Sequence, residues 1–202
     1  MPRLAGQIDV AKKAAILDAA LAVMSERGLA APLDEVARRA GVSKQTIYNH
    51  YGSKANLVRA LVERRVREIT ASLVEPDAAA FPEKALADYA RALLGVLLSP
   101  RGIGLMRVAI AGAPESPGLA RAVYEHGPRA SRVLLAQFLA LESANGRLAV
   151  DNPMQAAEMF GGMVVGSLQT GMMLGARSSL TDAEADAIAA EAARRFMRAY
   201  AP

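Results

Sequence analysis

Apolar positions along the chain recur at helical spacing, and the breaks between runs carry helix start and stop signals. A first run from about Asp9 to Arg27 sets Ile16, Ala20, Leu21 and Met24 on one face and stops at Gly28. A short second run, Leu33 to Ala40, follows Pro32, a residue suited to a helix's first turn. Gly41-Val42 turns the chain, Ser43 is placed to cap a third run reaching about Asn49, and Gly52-Ser53 recaps before a long fourth run from Lys54 past Ile69. Pro76 and Pro82 bracket a linker. The next helices are expected at Pro82 to Leu98, ended by Ser99-Pro100, and at Ile103 to Ala111. A long one opens at Ser116-Pro117 and reaches about Glu142, another opens at Asn152-Pro153, and the last opens at the capping-box pair Thr181 and Glu184. No run alternates as a strand would. The pattern predicts an all-α fold of about nine helices.

Composition agrees and adds little until charge is mapped. Apolar residues make up 52% and charged residues 22% of 202, a globular balance, and the shortage of aromatics (four Phe, five Tyr) favours helices over strands. The absence of cysteine excludes disulfides and thiolate metal sites and suits a reducing compartment. The start, Met-Pro-Arg-Leu-Ala-Gly-Gln, lacks the apolar run of a signal peptide, so a cytoplasmic location is expected. The net charge of +4 is unevenly placed: residues 1–72 carry twelve Lys/Arg, Arg3 included, against seven acids, while the remainder carries twelve against thirteen. A basic head on a near-neutral body suggests a polyanionic partner for the head alone.

That head holds the informative stretch, Leu33 to Tyr51. Val36 and Ala37 bury the second helix, small Ala40 allows close approach, Gly41 supplies the turn, and Val42 and Ile47 pin the third helix to the core. Outward on the third helix are Lys44, Gln45, Thr46, Tyr48, Asn49 and His50, donors and acceptors suited to phosphates and base edges. This is the logic of a helix-turn-helix. The segment from about Ile16 to Val62 resembles the DNA-binding domain of tetracycline-repressor-like (TetR) regulators. The resemblance rests on Gly28, Val36-Ala37, Ala40-Gly41-Val42-Ser43, Tyr48-Asn49-His50-Tyr51, Ser53-Lys54 and Leu57. It implies phosphate contacts from Tyr48, His50 and Lys54, base-edge contacts from Gln45, Thr46, Lys44 and Asn49, Ser43 within the same set, and Tyr51 in the core. One departure stands out: where the family places a Ser or Thr to grip a phosphate, this chain has Ala31-Pro32. Lys12, Lys13, Arg38 and Arg39 are expected on solvated faces.

The body carries the other unusual stretch, Met159 to Ala176, with no charge in eighteen residues. It is short for a membrane span, and Ser167, Gln169 and Thr170 speak against one, although Gly162 and Gly166 stand at GxxxG spacing. A helix buried on all sides is expected, partly within its own subunit and partly against a partner. In the resembled family the last two helices pair with their copies. The candidates for that interface are Gly162, Gly166 and Ser167 with Ile188, Ala192 and Phe196. Leu105, Met106, Ala109, Phe138, Phe160, Met163 and Gln169, with Ile110, Val133 and Leu134, are candidates to line an effector cavity, since methionine-rich apolar walls adapt to varied ligands. Through Leu105-Met106-Arg107 and the glycine-rich stretch, the body also resembles AefR-like members of the family.

The expected organisation is a helix-turn-helix DNA-binding domain over residues 1–53 and a larger helical effector-binding and dimerisation domain over 54–202. The implied function is a homodimeric transcriptional regulator, a repressor of operator DNA released by a small, largely apolar effector. The alternative is a helical ligand-binding or scaffold protein without specific DNA binding. No cofactor or metal site is expected. His126 is the only histidine besides His50, no phosphate-binding or dinucleotide motif is present, and Glu115, Glu125 and Glu142 are scattered acids expected to face solvent.

Overall fold

The computed structural model describes the backbone of residues 5–202 and the side chains of 10–202; Arg3 and the rest of the opening tetrapeptide lie outside the described residues. The chain divides into two compact units. The first comprises residues up to Arg64 together with Gly104–His126, and the second comprises Arg65–Ile103 with Gly127–Pro202.

The first unit contains α1 (Ala5–Arg27), α2 (Leu33–Ala40), α3 (Lys44–Tyr51) and the first part of α4 (Lys54–Thr70). It also takes most of α6 (Pro100–Ala111) and α7 (Pro117–Tyr124). Local signals place the early elements. Gly28, at φ +94°, closes α1 with its N–H on the Met24 carbonyl at 3.0 Å. Gly41, in the left-handed region at φ +67°, ends α2, and the Val42 N–H returns to the Ala37 carbonyl at 3.0 Å. Ser43 then caps α3 by accepting from the Thr46 N–H at 3.0 Å, and Ser53 accepts from the Asn56 N–H at 3.1 Å as α4 starts. Ile16, Ala20, Val23 and Met24 of α1, Val36 of α2, Ile47 of α3 and Leu57, Val58 and Leu61 of α4 form one core. Leu105, Ala109 and Val123 join it. Gly104 explains how α6 comes so near: a Cβ there would stand 3.0 Å from the Ser25 carbonyl oxygen of α1.

The second unit holds the end of α4, a 3-10 turn (Ala71–Leu73), α5 (Pro82–Leu97), the start of α6, α8 (Ala130–Ala144), α9 (Pro153–Val165), α10 (Leu168–Met173) and α11 (Asp182–Ala199). Here α5 packs along α11, and α8 along α9. Its centre is an aromatic row: Phe160 meets Phe196 edge-on at 5.0 Å and Tyr89 at 6.2 Å. Both halves of the Thr181–Glu184 capping box form at the start of α11. Ser99 does double duty, ending α5 and accepting from the Gly102 N–H at 3.0 Å, so the sixth helix starts three residues earlier than its apolar pattern suggests.

Two expected helices are each divided. The long run opened by Ser116-Pro117 is interrupted by a five-residue π turn, Glu125–Arg129, with Pro128 inside it. Proline lacks an N–H and its ring crowds the carbonyl four residues back, so a wider turn accommodates it. The uncharged stretch breaks at Gly166 (φ +46°, ψ −131°), a conformation open to glycine alone at little cost. Nor is that stretch buried on all sides within the chain. Phe160, Val164 and Met172 are buried, but Gly162, Met163, Gly166, Ser167 and Leu174 are exposed. No single helix among the described residues is long and apolar enough to cross a membrane. Glu142, expected in solvent, is completely buried instead. Arg147 grips both its carboxylate oxygens, with Nη2 to Oε1 at 2.9 Å, and so locks the turn after α8.

Candidate nucleic-acid interface

Helix α3 has eight residues, and Ile47 is the one that it buries. That single anchor fixes the rotation of the helix, leaving Lys44, Gln45, Tyr48 and Asn49 exposed and Thr46 and His50 half-buried. The chain itself already holds most of these side chains. Lys44 Nζ donates to Asp34 Oδ2 of α2 at 2.9 Å, which pulls the Asp34 carboxyl below and pushes the Lys44 ammonium above their ordinary values. Gln45 Nε2 donates to Asn49 Oδ1 at 2.9 Å, one turn along the same face. The hydroxyls of Ser43 and Thr46 share a hydrogen bond at 2.9 Å, so Thr46 is drawn into the cap. His50 stands edge-on to Tyr51 with ring centroids 6.3 Å apart. Tyr51 is half-buried against the head's core, as expected for a packing residue, and its hydroxyl donates to the Lys13 carbonyl at 3.4 Å.

Lys54 sits differently from the other cations. It is half-buried, and its ammonium donates to the Ala31 carbonyl at 2.6 Å, bracing the turn that leads into α2. Burial lowers its pKa. Pro32, the N-cap residue of α2, gives no side-chain hydrogen bond, so the departure noted at Ala31-Pro32 leaves that helix start with acidic Asp34 and Glu35 as its complement. Around this face Arg39 pairs with Glu26 at 2.8 Å and Arg27 with Glu35 at 3.0 Å; Lys12, Lys13, Arg38 and Arg39 are exposed. Asp34 is the residue that sequence reasoning missed. It reads as an ordinary first-turn acid, and its partner lies ten residues away.

The residues proposed from sequence for an effector cavity do not gather in one core. Leu105 and Ala109 are buried in the head's core, whereas Phe138 and Phe160 are buried in the body's. Met106, Val133 and Gln169 are half-buried, and Ile110, Leu134 and Met163 are exposed. The body's core does contain a polar pair that composition gave no reason to suspect: the Tyr89 and Ser131 hydroxyls hydrogen-bond at 2.9 Å, and burial pushes the Tyr89 pKa up. Of the candidate interface residues, Gly162, Gly166 and Ser167 are exposed and Ile188 is half-buried, but Ala192 and Phe196 lie inside this chain's own core. The exposed face of α9 is completed by Met159, whose sulfur accepts from the Tyr200 hydroxyl at 3.5 Å.

Comparisons with known proteins match both parts of the chain. Residues 16–61 match the model of bacterial regulatory proteins of the tetR family, and residues 84–202 match that of the AefR-like transcriptional repressor C-terminal domain. The HTH-type transcriptional repressor SCO4008 of Streptomyces coelicolor is 38% identical over 69 residues, which span 33% of this chain and 36% of that one. The chain thus spans about a third of that relative's length. Among solved structures, the flavonoid-responsive regulator FrrA is 32% identical with a TM-score of 0.69, covering 95% of this chain and 97% of its own. A TetR transcriptional regulator from Agrobacterium tumefaciens is 27% identical with a TM-score of 0.73, covering 94% of each chain. With both family models matched and the second spanning more than half of its length, this chain belongs to the TetR family of transcriptional regulators and carries an AefR-like C-terminal domain.

Proposed function

We propose that this protein is a homodimeric transcriptional repressor that binds a specific operator in double-stranded DNA and lets go when a small, largely apolar effector binds. The observation that carries the reading is α3: one buried isoleucine orients a short helix whose outward side chains are amide, hydroxyl, ammonium and phenol groups, with no acid among them. Residues 1–53 do the reading and 54–202 sense and dimerise. Within the reading set, Ser43, Lys44, Gln45, Thr46, Asn49, Tyr48, His50 and Lys54 face DNA. Tyr48, 41% exposed, and His50 approach phosphates, and the amide-bearing pair approaches bases. Work on chromosomal DNA places the protein in the cytoplasm and asks for no catalytic group.

Dimerisation runs through the exposed strip of α9, Met159, Gly162 and Met163, with Gly166 and Ser167 just after it and the half-buried Ile188 of α11. Small residues there let a second copy approach closely, and a two-fold pair sets two recognition helices about 34 Å apart or a multiple of it. The effector reading draws support from FrrA, a flavonoid-responsive regulator by name. In this chain the body's buried aromatic row and the Tyr89–Ser131 hydroxyl pair set apolar rings beside one polar spot, a suitable chemistry for such a ligand. Release requires that the effector bind the DNA-incompetent state more tightly.

Gel retardation of DNA from upstream of the protein's own gene tests the reading. The wild type should retard it specifically, and Tyr48→Ala should abolish the shift while leaving the thermal unfolding midpoint unchanged. Retardation equal to that of unrelated DNA at every salt concentration would leave a helical ligand-binding or scaffold protein as the better account. Equal operator affinity with and without each member of a panel of apolar aromatic compounds would count against the effector.

A further inference from the structure

We infer that Gln45 reads an adenine in each half-site and that Asn49 is its positioning residue; the inference rests on the DNA-reading assignment of α3. A glutamine amide carries one carbonyl oxygen and two N–H groups. In this structure one N–H of Gln45 is spent on Asn49 Oδ1 at 2.9 Å, and both residues are exposed on the outward face of α3. What Gln45 has left is an adjacent acceptor and donor, Oε1 and the second N–H. Adenine's major-groove edge offers the complementary pair, a donor at N6 and an acceptor at N7. Guanine offers two acceptors, so Oε1 would face O6 oxygen to oxygen. Cytosine offers a donor whose neighbouring acceptor, O6, belongs to the paired guanine, and thymine an acceptor beside a methyl group. Adenine is the base that satisfies both atoms by itself.

Asn49 favours one order in which they are presented. A free glutamine amide turns over readily and offers donor and acceptor either way round. With Asn49 Oδ1 turned toward it, as here, a turned-over Gln45 amide would set oxygen against oxygen, so reversal requires both amides to turn together. The neighbouring cation leaves this arrangement undisturbed: Lys44, the residue before Gln45, is held by Asp34 at 2.9 Å. Thr46 is held by Ser43. Gln45 therefore keeps a complete bidentate edge turned outward, with Asn49 engaged in orienting it.

Selection of bound duplexes from a randomised pool, followed by competition at each position of the selected site, tests this with the full-length protein. The wild type should prefer adenine at one position per half-site by on the order of tenfold or more. Gln45→Ala should erase the preference at that position and no other. Asn49→Ala should weaken it at the same position, whereas Asn49→Asp, which keeps the accepting oxygen, should restore the preference while lowering affinity for every sequence. Both sites are exposed, so unchanged thermal unfolding is expected throughout. The inference is overturned if Gln45→Ala erases a preference for another base, or if Asn49→Ala relaxes a different position and leaves the Gln45 position intact. A wild type that enriches no sequence at all overturns the DNA-reading assignment itself, and this inference with it.

Discussion

The recognition helix α3 and the uncharged stretch through α9 and α10 use a helix surface in opposite ways. Helix α3 buries one residue, Ile47, and turns polar groups outward, several of them already held by neighbours on the chain. Helix α9 buries Ala156, Ala157, Phe160 and Val164 and leaves Met159, Gly162 and Met163 outside. On α3 the outward groups are oriented before any partner arrives, which lowers the entropy lost on binding. On α9 the outward groups are flexible methionines and glycines that fix no direction and favour close, adaptable packing. Pre-organised polarity suits a partner with a fixed hydrogen-bond pattern. Adaptable apolar surface suits a second helix.

The sharpest way to break this contrast is through the two faces of α9. Phe160 is 0% exposed and packs on Phe196 and Tyr89, so Phe160→Ala should cost about 3–5 kcal/mol in urea unfolding. Met163, three residues on and 42% exposed, should behave differently. Met163→Ala should change the stability of the single chain by less than about 0.5 kcal/mol. Met163→Glu should weaken self-association in sedimentation, because it places a charge on the proposed dimer face. Similar losses of stability from Phe160→Ala and Met163→Ala in dilute protein would remove the distinction. For α3, Ile47→Ala should cost about 2–4 kcal/mol and abolish specific DNA retardation, since the same residue anchors the helix and sets its rotation.

What the sequence made legible follows the range of the interaction responsible. Gly28, Gly41, Ser43 and the Thr181–Glu184 pair act within four residues of themselves, and each element end that they announce is present. Pro128 and Gly166 are equally local, yet they sit inside apolar runs whose periodicity masks them, and each divides a helix expected to be whole. The pairs Lys44–Asp34 and Lys54–Ala31 join different elements and were invisible. So was the packing of Leu105 and Ala109 into the head's core, which brings together residues some eighty positions apart. An apolar face shows that a residue is buried, not which core receives it.

A smaller effect sharpens the local side of the comparison. Thr181→Ala should cost about 1 kcal/mol by removing one half of the capping box. Its partner supplies a pH test. The Thr181 backbone N–H and hydroxyl, then Arg177, hold the Glu184 carboxyl below its ordinary value. A depressed carboxylate contributes stability above its unfolded value, near pH 4.3, and loses it as pH falls through the folded value. Glu184→Gln should therefore lower stability at neutral pH and flatten the acid limb of the unfolding profile, with the two proteins converging at strongly acid pH. Parallel acid limbs would mean that the carboxylate's charge adds nothing to the cap.

The smallest expected effect bears on Asp34, whose carboxylate holds Lys44 at the edge of the reading face. A cation already paired at 2.9 Å neutralises a phosphate only by giving up its partner, which brings a second negative charge near the backbone. If Lys44 meets DNA, Asp34 is expected to restrain indiscriminate binding. Asp34→Asn removes the charge while keeping the side chain's size, and it should raise affinity for unrelated duplex DNA several-fold at low salt. The slope of log affinity against log salt should steepen by up to about one unit, the signature of one added phosphate contact. Fluorescence anisotropy with a labelled duplex of arbitrary sequence measures both. Because the Asp34 carboxyl titrates below its ordinary value near 3.9, the wild-type pair stays intact above that value and loosens only as pH falls through the lowered one. Asp34 should accordingly stay ionised between pH 5 and 8, and the wild-type slope should not change with pH over that range on its account. Identical slopes for wild type and Asp34→Asn would show that freeing Lys44 adds no phosphate contact. Lys44 would then serve to tie α3 to α2, and the contact with DNA would fall to the amides, Tyr48, His50 and Lys54.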